Sequence, residues 1–331
     1  MNKVILPGTD VKITPLTFGA WAIGGWFWGG AEEKESIRAI ESAINSGMTT
    51  IDTAPIYGFG QSEEIVGKAI NGKRDKVQIL TKFGLRWDVV SPNKHIEKTT
   101  DNQGNTISVY RLGTKESVIK ECENSLRRLG TDHIDLFQQH WPDSHTPIEE
   151  TMEALEILKK QGKIKAGGVS NYSSEQMAAA DKYFRLTSNQ VPYSMVLRDI
   201  EKELVPYCIA NNKAIIAYSP LQRGILTGKI TADYKFNEGD HRSNTPFYKE
   251  PNLSVINQFL KEIKPIAESK NATLAQLVIR WTLYQPGITC VLVGAPNEKQ
   301  VLENVQAAEL TVSCDEMKLI NEKLNNLNLE L

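Results

Sequence analysis

The chain has 331 residues, with 38 Lys and Arg against 40 Asp and Glu and a formal net charge of -2. This near-neutral balance, without long runs of either sign, excludes the electrostatic footprint of a nucleic-acid or anionic-membrane binder and points to a small-molecule partner. No stretch approaches the roughly 20 apolar residues that span a bilayer, MNKVILPGTDVK breaks at Pro7-Gly8 before a signal-length core, and Cys122, Cys208, Cys290 and Cys314 have neither zinc nor disulfide-framework spacing, so a cytoplasmic setting is expected.

Short apolar runs rich in β-branched residues predict strands at 16–20, 49–54, 77–83, 134–140, 164–171, 188–193, 214–220 and 290–295. Between them lie amphipathic stretches that predict helices: 32–47, with acids in its first turn and Gly47 as its stop, then 63–70, 115–130, 148–162, 173–184, 201–212, 274–286, 298–308 and a last one from Ser313. Strict alternation over eight strands, with no composition shift or Pro/Ser linker, predicts an α/β fold, one (β/α)8 barrel over residues 1–331 as a single domain, ahead of a doubly wound sheet. The segments 84–113 and about 222–252 exceed ordinary loop length and would cover a substrate at the barrel mouth.

The stretch DTAPIYGFGQSEE, from Asp52 to Glu64, stands where a dinucleotide-binding loop would sit, between a strand and a helix. Gly58-x-Gly60-x-x-Glu63 lacks the third glycine and would aim a carboxylate at the pyrophosphate, so that reading is weak. In a barrel, polar residues at the carboxyl ends of strands converge instead. Those are Asp52 with Tyr57 just beyond, Lys82, His140, Ser170 and Asn171, Gln190, and Tyr218 and Ser219. A phenol is a poor acid at neutral pH, but an adjacent ammonium stabilises phenolate and would bring its pKa toward the working range. Tyr57 is then the proton donor, Lys82 its perturbing cation, Asp52 the partner of that cation, and His140 the group that orients a carbonyl oxygen. Taken singly, each has a duller role: Asp52 as a cap, Lys82 as a solvated lysine, His140 as a satisfied interior histidine.

Backbone amides, Arg223, Gly224 and Lys229 in SPLQRGILTGK, and Gly294 before a helix N-terminus, offer a phosphate site after the seventh and eighth strands. Trp21, Trp28 in GGWFWGG, Trp87 and Trp141 are candidates, with Tyr57, for the wall of a substrate pocket. His95, His133, His145 and His241 lack metal-ligand spacing, and no metal is expected.

From FGAWAIGG through DTAPIYGFGQSEEIVGKAI, LTKFG, DLFQQHWPD, GKIKAGGVSNYS and YSPLQRGILTGK to VLVGAPNEKQVLENV, the chain resembles the aldo-keto reductases, and in particular their bacterial general-stress and inositol-related members. The resemblance implies a (β/α)8 barrel, NADP(H)-dependent reduction of aldehydes or ketones and the reverse oxidation, and a tetrad of Asp52, Tyr57, Lys82 and His140. It also implies a nicotinamide dinucleotide across the mouth. Ala20, Trp21 and Asp52 would lie beside it, Ser170, Asn171 and Gln190 on its carboxamide, and Tyr218 against its ring. Ser219, Pro220, Leu221, Gly224 and Lys229 would line the pyrophosphate side. Gly294, Gln300, Glu303 and Asn304 would line the adenosine side, with Arg242 closing over it. Many relatives carry basic residues after the eighth-strand glycine to grip a 2′-phosphate; here Pro296 and Asn297 stand there, so NAD(H) stays possible beside NADP(H). Aldehydes and small sugar-like carbonyls are the expected substrates, and a monomer or small homo-oligomer the expected assembly. Two other functions compete. One is a nucleotide-binding regulatory subunit, against which His140 counts. The other is a Schiff-base lyase using Lys82, against which an ion-pairing Asp52 counts.

Overall fold

Eight parallel strands close on themselves in the computed structural model, which describes residues 1–26, 32–236, 242 and 245–331. They are β1 Leu16–Gly19, β2 Thr50–Asp52, β3 Gln78–Phe83, β4 Ile134–Gln139, β5 Ile164–Ser170, β6 Ser188–Pro192, β7 Ala214–Tyr218 and β8 Ile288–Val293. Each falls within a residue or two of its predicted run. Sequential strands are neighbours all the way round, and β8 pairs with β1, with Val291 opposite Leu16. Closure rules out the doubly wound alternative, whose sheet has two free edges.

The helices are α1 Glu33–Asn45, α2 Gln61–Ile70, α3 Lys115–Leu129, α4 Ile148–Lys160, α5 Ser174–Ala180, α6 Leu204–Ala210, α7 Asn252–Glu268, α8 Leu274–Tyr284, α9 Glu298–Gln306 and α10 Cys314–Asn325. Capping follows the sequence signals. Ser173, Thr273 and Ser313 each close a capping box at the start of α5, α8 and α10, and Gly130 ends α3 in the left-handed conformation. The helix α7 was not among the predicted elements. Pro251 before it and Pro265 within it obscure an apolar stripe, Leu253, Ile256, Leu260, Ile263 and Ala267, whose burial holds the helix despite the missing amide.

Strand residues two apart share a face, and this sets the barrel interior in layers. Leu80, Leu136, Ala166, Ile216 and Leu292 form an apolar layer, closed below by Leu6, Val11 and Ile13 around the short N-terminal hairpin of Val4–Ile5 and Lys12–Ile13. One step up, the same periodicity presents Lys82 opposite Gln138. The intervening Ile79, Phe83 and Phe137 face outward into the larger core under the helices.

The segment 84–113, expected as a long loop, is a three-stranded antiparallel sheet: Leu85–Arg86, Lys94–Thr100 and Thr106–Arg111, the last in the centre. Its strand KHIEKTT has too few apolar residues to announce itself; pairing and packing of Ile96 against the aromatic cluster around Trp26 stabilise it. At its tip Asn102 donates from Nδ2 to Gly58 O at 3.0 Å and to Gln61 Oε1 at 2.6 Å, which ties the sheet to the Tyr57 loop. Among the described residues, no helix is long and apolar enough to cross a membrane.

Candidate active site

A cavity of about 1010 Å³ opens at the carboxyl ends of the strands. Beneath it Lys82, fully buried on β3, donates from Nζ to Asp52 Oδ1 at 2.5 Å and to Thr53 O at 2.9 Å. The other Asp52 oxygen accepts from Gln190 Nε2 at 2.7 Å and from Gln138 Nε2 at 3.5 Å. A buried ion pair tolerates loss of water only when other hydrogen bonds support it, and here both Asp52 oxygens and two of the three Lys82 N–H groups have partners. Lys82 Nζ also lies 4.9 Å from the centre of the Tyr57 ring, over its face.

Tyr57 is held by a tight loop. Its amide donates to Ala54 O, its carbonyl accepts from the Ser62 amide, and Ser62 Oγ donates to Ala20 O at 2.8 Å, joining the loop to the end of β1. Gly58 has φ 66, and a Cβ there would collide with the Gly24 carbonyl oxygen; a Cβ on Gly24 would stand 2.5 Å from Tyr57 O. The glycines therefore admit two backbones to contact rather than a phosphate. Glu63 faces away from the mouth: it is buried, with Arg128 Nε and Thr81 Oγ1 donating to it at 2.7 and 2.6 Å.

The Tyr57 and His140 rings meet edge to face, 5.8 Å between centres. Burial and the Lys82 charge hold His140 well below the ordinary imidazole range, so it is neutral. Burial, with the Asp52 charge, raises Tyr57 well above the ordinary phenol range. This corrects the expectation that Lys82 draws Tyr57 down: Asp52 neutralises that ammonium, and desolvation dominates. Burial also lowers Lys82 itself, opposed by Asp52.

Asn171, in the left-handed conformation at φ 61, donates from Nδ2 to His140 O at 3.0 Å and to Ser170 Oγ at 3.1 Å, and accepts from Tyr218 OH at 2.8 Å. Ser170 Oγ donates to Gln190 O at 2.7 Å. These five residues line the cavity. Beyond Tyr218, the backbone takes positive φ at Ser219, Gln222, Arg223 and Gly224. Ser219, Pro220, Leu221, Gly224, Lys229 and Arg242 line the cavity there. Gly294, Gln300, Glu303 and Asn304 line its far end, where Asn297 caps α9 by accepting from the Gln300 amide at 3.0 Å.

Trp21 and Trp141 line the cavity, whereas Ala20 and Trp87 do not. Ala20 is buried as a strut under Ser62, and Trp87 packs edge-on against Phe59, 5.4 Å between centres. Trp28 lies outside the described residues. The wall that sequence reasoning missed consists of Trp26, Leu85, His95 and Ile96, contributed by the β1 loop and the 85–111 sheet. Trp26, in the same GGWFWGG run as Trp28, gave some signal; the others had none short of the fold. Among the described residues, no cluster of His, Cys, Asp and Glu has the makings of a metal site.

A closed eight-stranded barrel with its cavity at the carboxyl ends of the strands defines a (β/α)8 protein with the cavity where barrel enzymes bind small molecules. The Aldo/keto reductase family model matches residues 15–325, and the chain belongs to that family of oxidoreductases acting on carbonyl and CH–OH groups. It is 39% identical to the aldo-keto reductase YhdN of Bacillus subtilis over 98% of this chain and 94% of that one. It is 35% identical to the NADH-specific methylglyoxal reductase of Escherichia coli, covering 97% and 98%. Among solved structures, the glycerol dehydrogenase AKR11B4 of Gluconobacter oxydans superposes with a TM-score of 0.88 at 37% identity, covering 98% and 96%. An aldo-keto reductase of Klebsiella pneumoniae in complex with NADPH does so with 0.73 at 28%, covering 97% and 95%.

Proposed function

We propose that the protein reduces small aldehydes and ketones with NADPH, NADH also being usable, and that Tyr57 is the general acid. The observation that carries the reading is the arrangement of Tyr57 and His140 at the cavity with the Asp52–Lys82 pair beneath the phenol. Bound nicotinamide dinucleotide supplies the hydride for the carbonyl carbon. Neutral His140 orients the carbonyl oxygen, and the Tyr57 hydroxyl gives its proton to that oxygen as it becomes alkoxide-like. A phenol raised by burial still protonates an alkoxide readily, because an alkoxide is far more basic than any phenolate. Lys82 beneath the ring offsets the Asp52 charge that the phenolate left behind would otherwise face.

The cavity's polar side fits a carboxamide. Gln190 has its amide nitrogen committed to Asp52, which leaves its oxygen to accept an amide N–H. The turns between Ser219 and Gly224 carry Arg223 and lie with Lys229 and Arg242 in the cavity wall, a cationic lining that suits phosphates. Lys82, closed off from the cavity by its own partners, is poorly placed for a Schiff base. The buried, unpaired Cys122, Cys208 and Cys290 suit a cytoplasmic setting.

The test is single-turnover oxidation of NADPH and NADH with a panel of nitrobenzaldehyde, methylglyoxal and an aldose, alongside polyol oxidation. Turnover of small aldehydes supports the reading; activity confined to steroids or long-chain ketones removes it.

A further inference from the structure

His95 stands at a β-bulge in the cavity wall. In the hairpin, Lys94 pairs with Tyr110 but Ile96 pairs with Val109, so His95 is one residue more than the ladder needs. In a regular strand His95 and Ile96 would face opposite sides. Here both line the cavity. Bulges beside active sites re-aim side chains in this way.

The ring is then fixed from the neighbouring strand. Arg111 donates from Nε to His95 Nδ1 at 3.2 Å and from Nη1 to Pro142 O at 3.4 Å, while its guanidinium lies 5.2 Å over the Trp141 ring. The His95 ring packs 5.2 Å from that same indole. An arginine can only donate, so His95 Nδ1 must accept, and the proton of the neutral ring sits on Nε2. Burial and the Arg111 charge hold His95 down to about 4, which keeps the ring neutral in the physiological range. His95 lines the same cavity as Tyr57 and His140, and the indole that it packs on, Trp141, follows His140 in the chain. The cavity wall thus carries an imidazole with its proton on Nε2, among the apolar lining residues Trp26, Ile56, Leu85, Ile96 and Trp141. A ligand that covers this donor without an acceptor leaves it desolvated and unpaired.

We infer that His95 is a specificity-determining residue whose Nε2–H donates to an oxygen on the carbon next to the carbonyl being reduced, so that the preferred substrates are small 2-hydroxy and 2-oxo carbonyl compounds. This rests on the carbonyl-reductase reading above. Arg111 is the positioning residue that holds the ring in the donating tautomer.

The probes are 2-hydroxypropanal and propanal, which differ by the one oxygen. Wild type should favour 2-hydroxypropanal in kcat/KM, and His95→Phe, which keeps an aromatic ring against Trp141, should reduce that preference about tenfold or more. His95→Gln, which restores an N–H near the Nε2 position, should recover part of it, and Arg111→Met should lower it by freeing the tautomer. A preference unchanged in both His95→Phe and Arg111→Met overturns the assignment while leaving the reductase reading in place. Failure of wild type to reduce either aldehyde overturns both.

Discussion

Lys82 Nζ lies 4.9 Å from the centre of the Tyr57 ring while it is bound to Asp52 Oδ1 at 2.5 Å. The ammonium therefore acts on the phenol only as half of an ion pair, and removing either half changes what remains. Tyr57→Phe keeps the ring and removes the acid, so single-turnover hydride transfer should slow by about 10²-fold or more with nucleotide affinity little changed. Lys82→Met should also cripple reduction, because it strands the Asp52 carboxylate under the phenol. Reduction by Tyr57→Phe at near wild-type rate would remove Tyr57 from its role.

The raised phenol of Tyr57 gives the two directions different pH dependence. Reduction uses the protonated form, which dominates below its pKa, so its rate should be flat across neutral pH. Alcohol oxidation needs the phenolate, so its rate should climb as pH rises into the alkaline range. Parallel pH profiles of kcat for an aldehyde and its alcohol check this, and identical profiles would contradict it.

Gly58 and Gly24 are in backbone contact, and Gly58 has positive φ. Gly58→Ala must either strain the turn or push the Tyr57 loop off the end of β1. A stability loss of at least about 2 kcal/mol is expected, with turnover lowered as well. Urea denaturation beside a steady-state assay measures both, and a variant as stable and active as wild type would disprove the contact's importance.

On the cofactor, fluorescence titration should give a lower Kd for NADPH than for NADH, because Arg223, Lys229 and Arg242 line the part of the cavity proposed for the phosphates. Arg242→Ala should erode that difference by about tenfold, the scale of one charge-assisted contact. Equal or reversed affinities would mean that Pro296 and Asn297 have abolished the 2′-phosphate grip, as in an NADH-specific enzyme.

Glu121 anchors the foot of the 85–111 sheet. It accepts from the Gly84 amide at 2.9 Å and from Ser117 Oγ at 3.0 Å, with Arg86 Nη1 3.9 Å away. Burial pushes its carboxyl up to about 7, above the range of a free glutamate. The folded state thus binds this proton more tightly than the unfolded chain. Its contribution is fully present below the unfolded pKa of about 4.3 and is lost as pH rises through about 7. Between pH 5 and 7.5, wild type should lose about 1–3 kcal/mol of stability relative to Glu121→Gln. A difference that does not change with pH would show that Arg86 keeps the carboxylate charged throughout.

The barrel and the convergence of Asp52, Tyr57, Lys82 and His140 were legible in the sequence, because strand rhythm is local and a strand's last polar residue must face the mouth once the barrel closes. Local rhythm also announced nearly every helix, the exception being α7, hidden behind its prolines. What only the tertiary structure decided depends on partners far along the chain. The polar strand 94–100 forms because Thr106–Arg111 pairs with it, and that pairing, not composition, brings His95 and Ile96 to the cavity. Trp26 lines the wall and Trp87 does not, with Phe59 of the Tyr57 loop packed edge-on against both. Glu63 turns from the mouth because Arg128 and Thr81 bind it below. Tyr57 holds its proton more tightly than its neighbours in sequence imply, because desolvation is set by everything packed around a group, and a linear chain shows only what stands beside it.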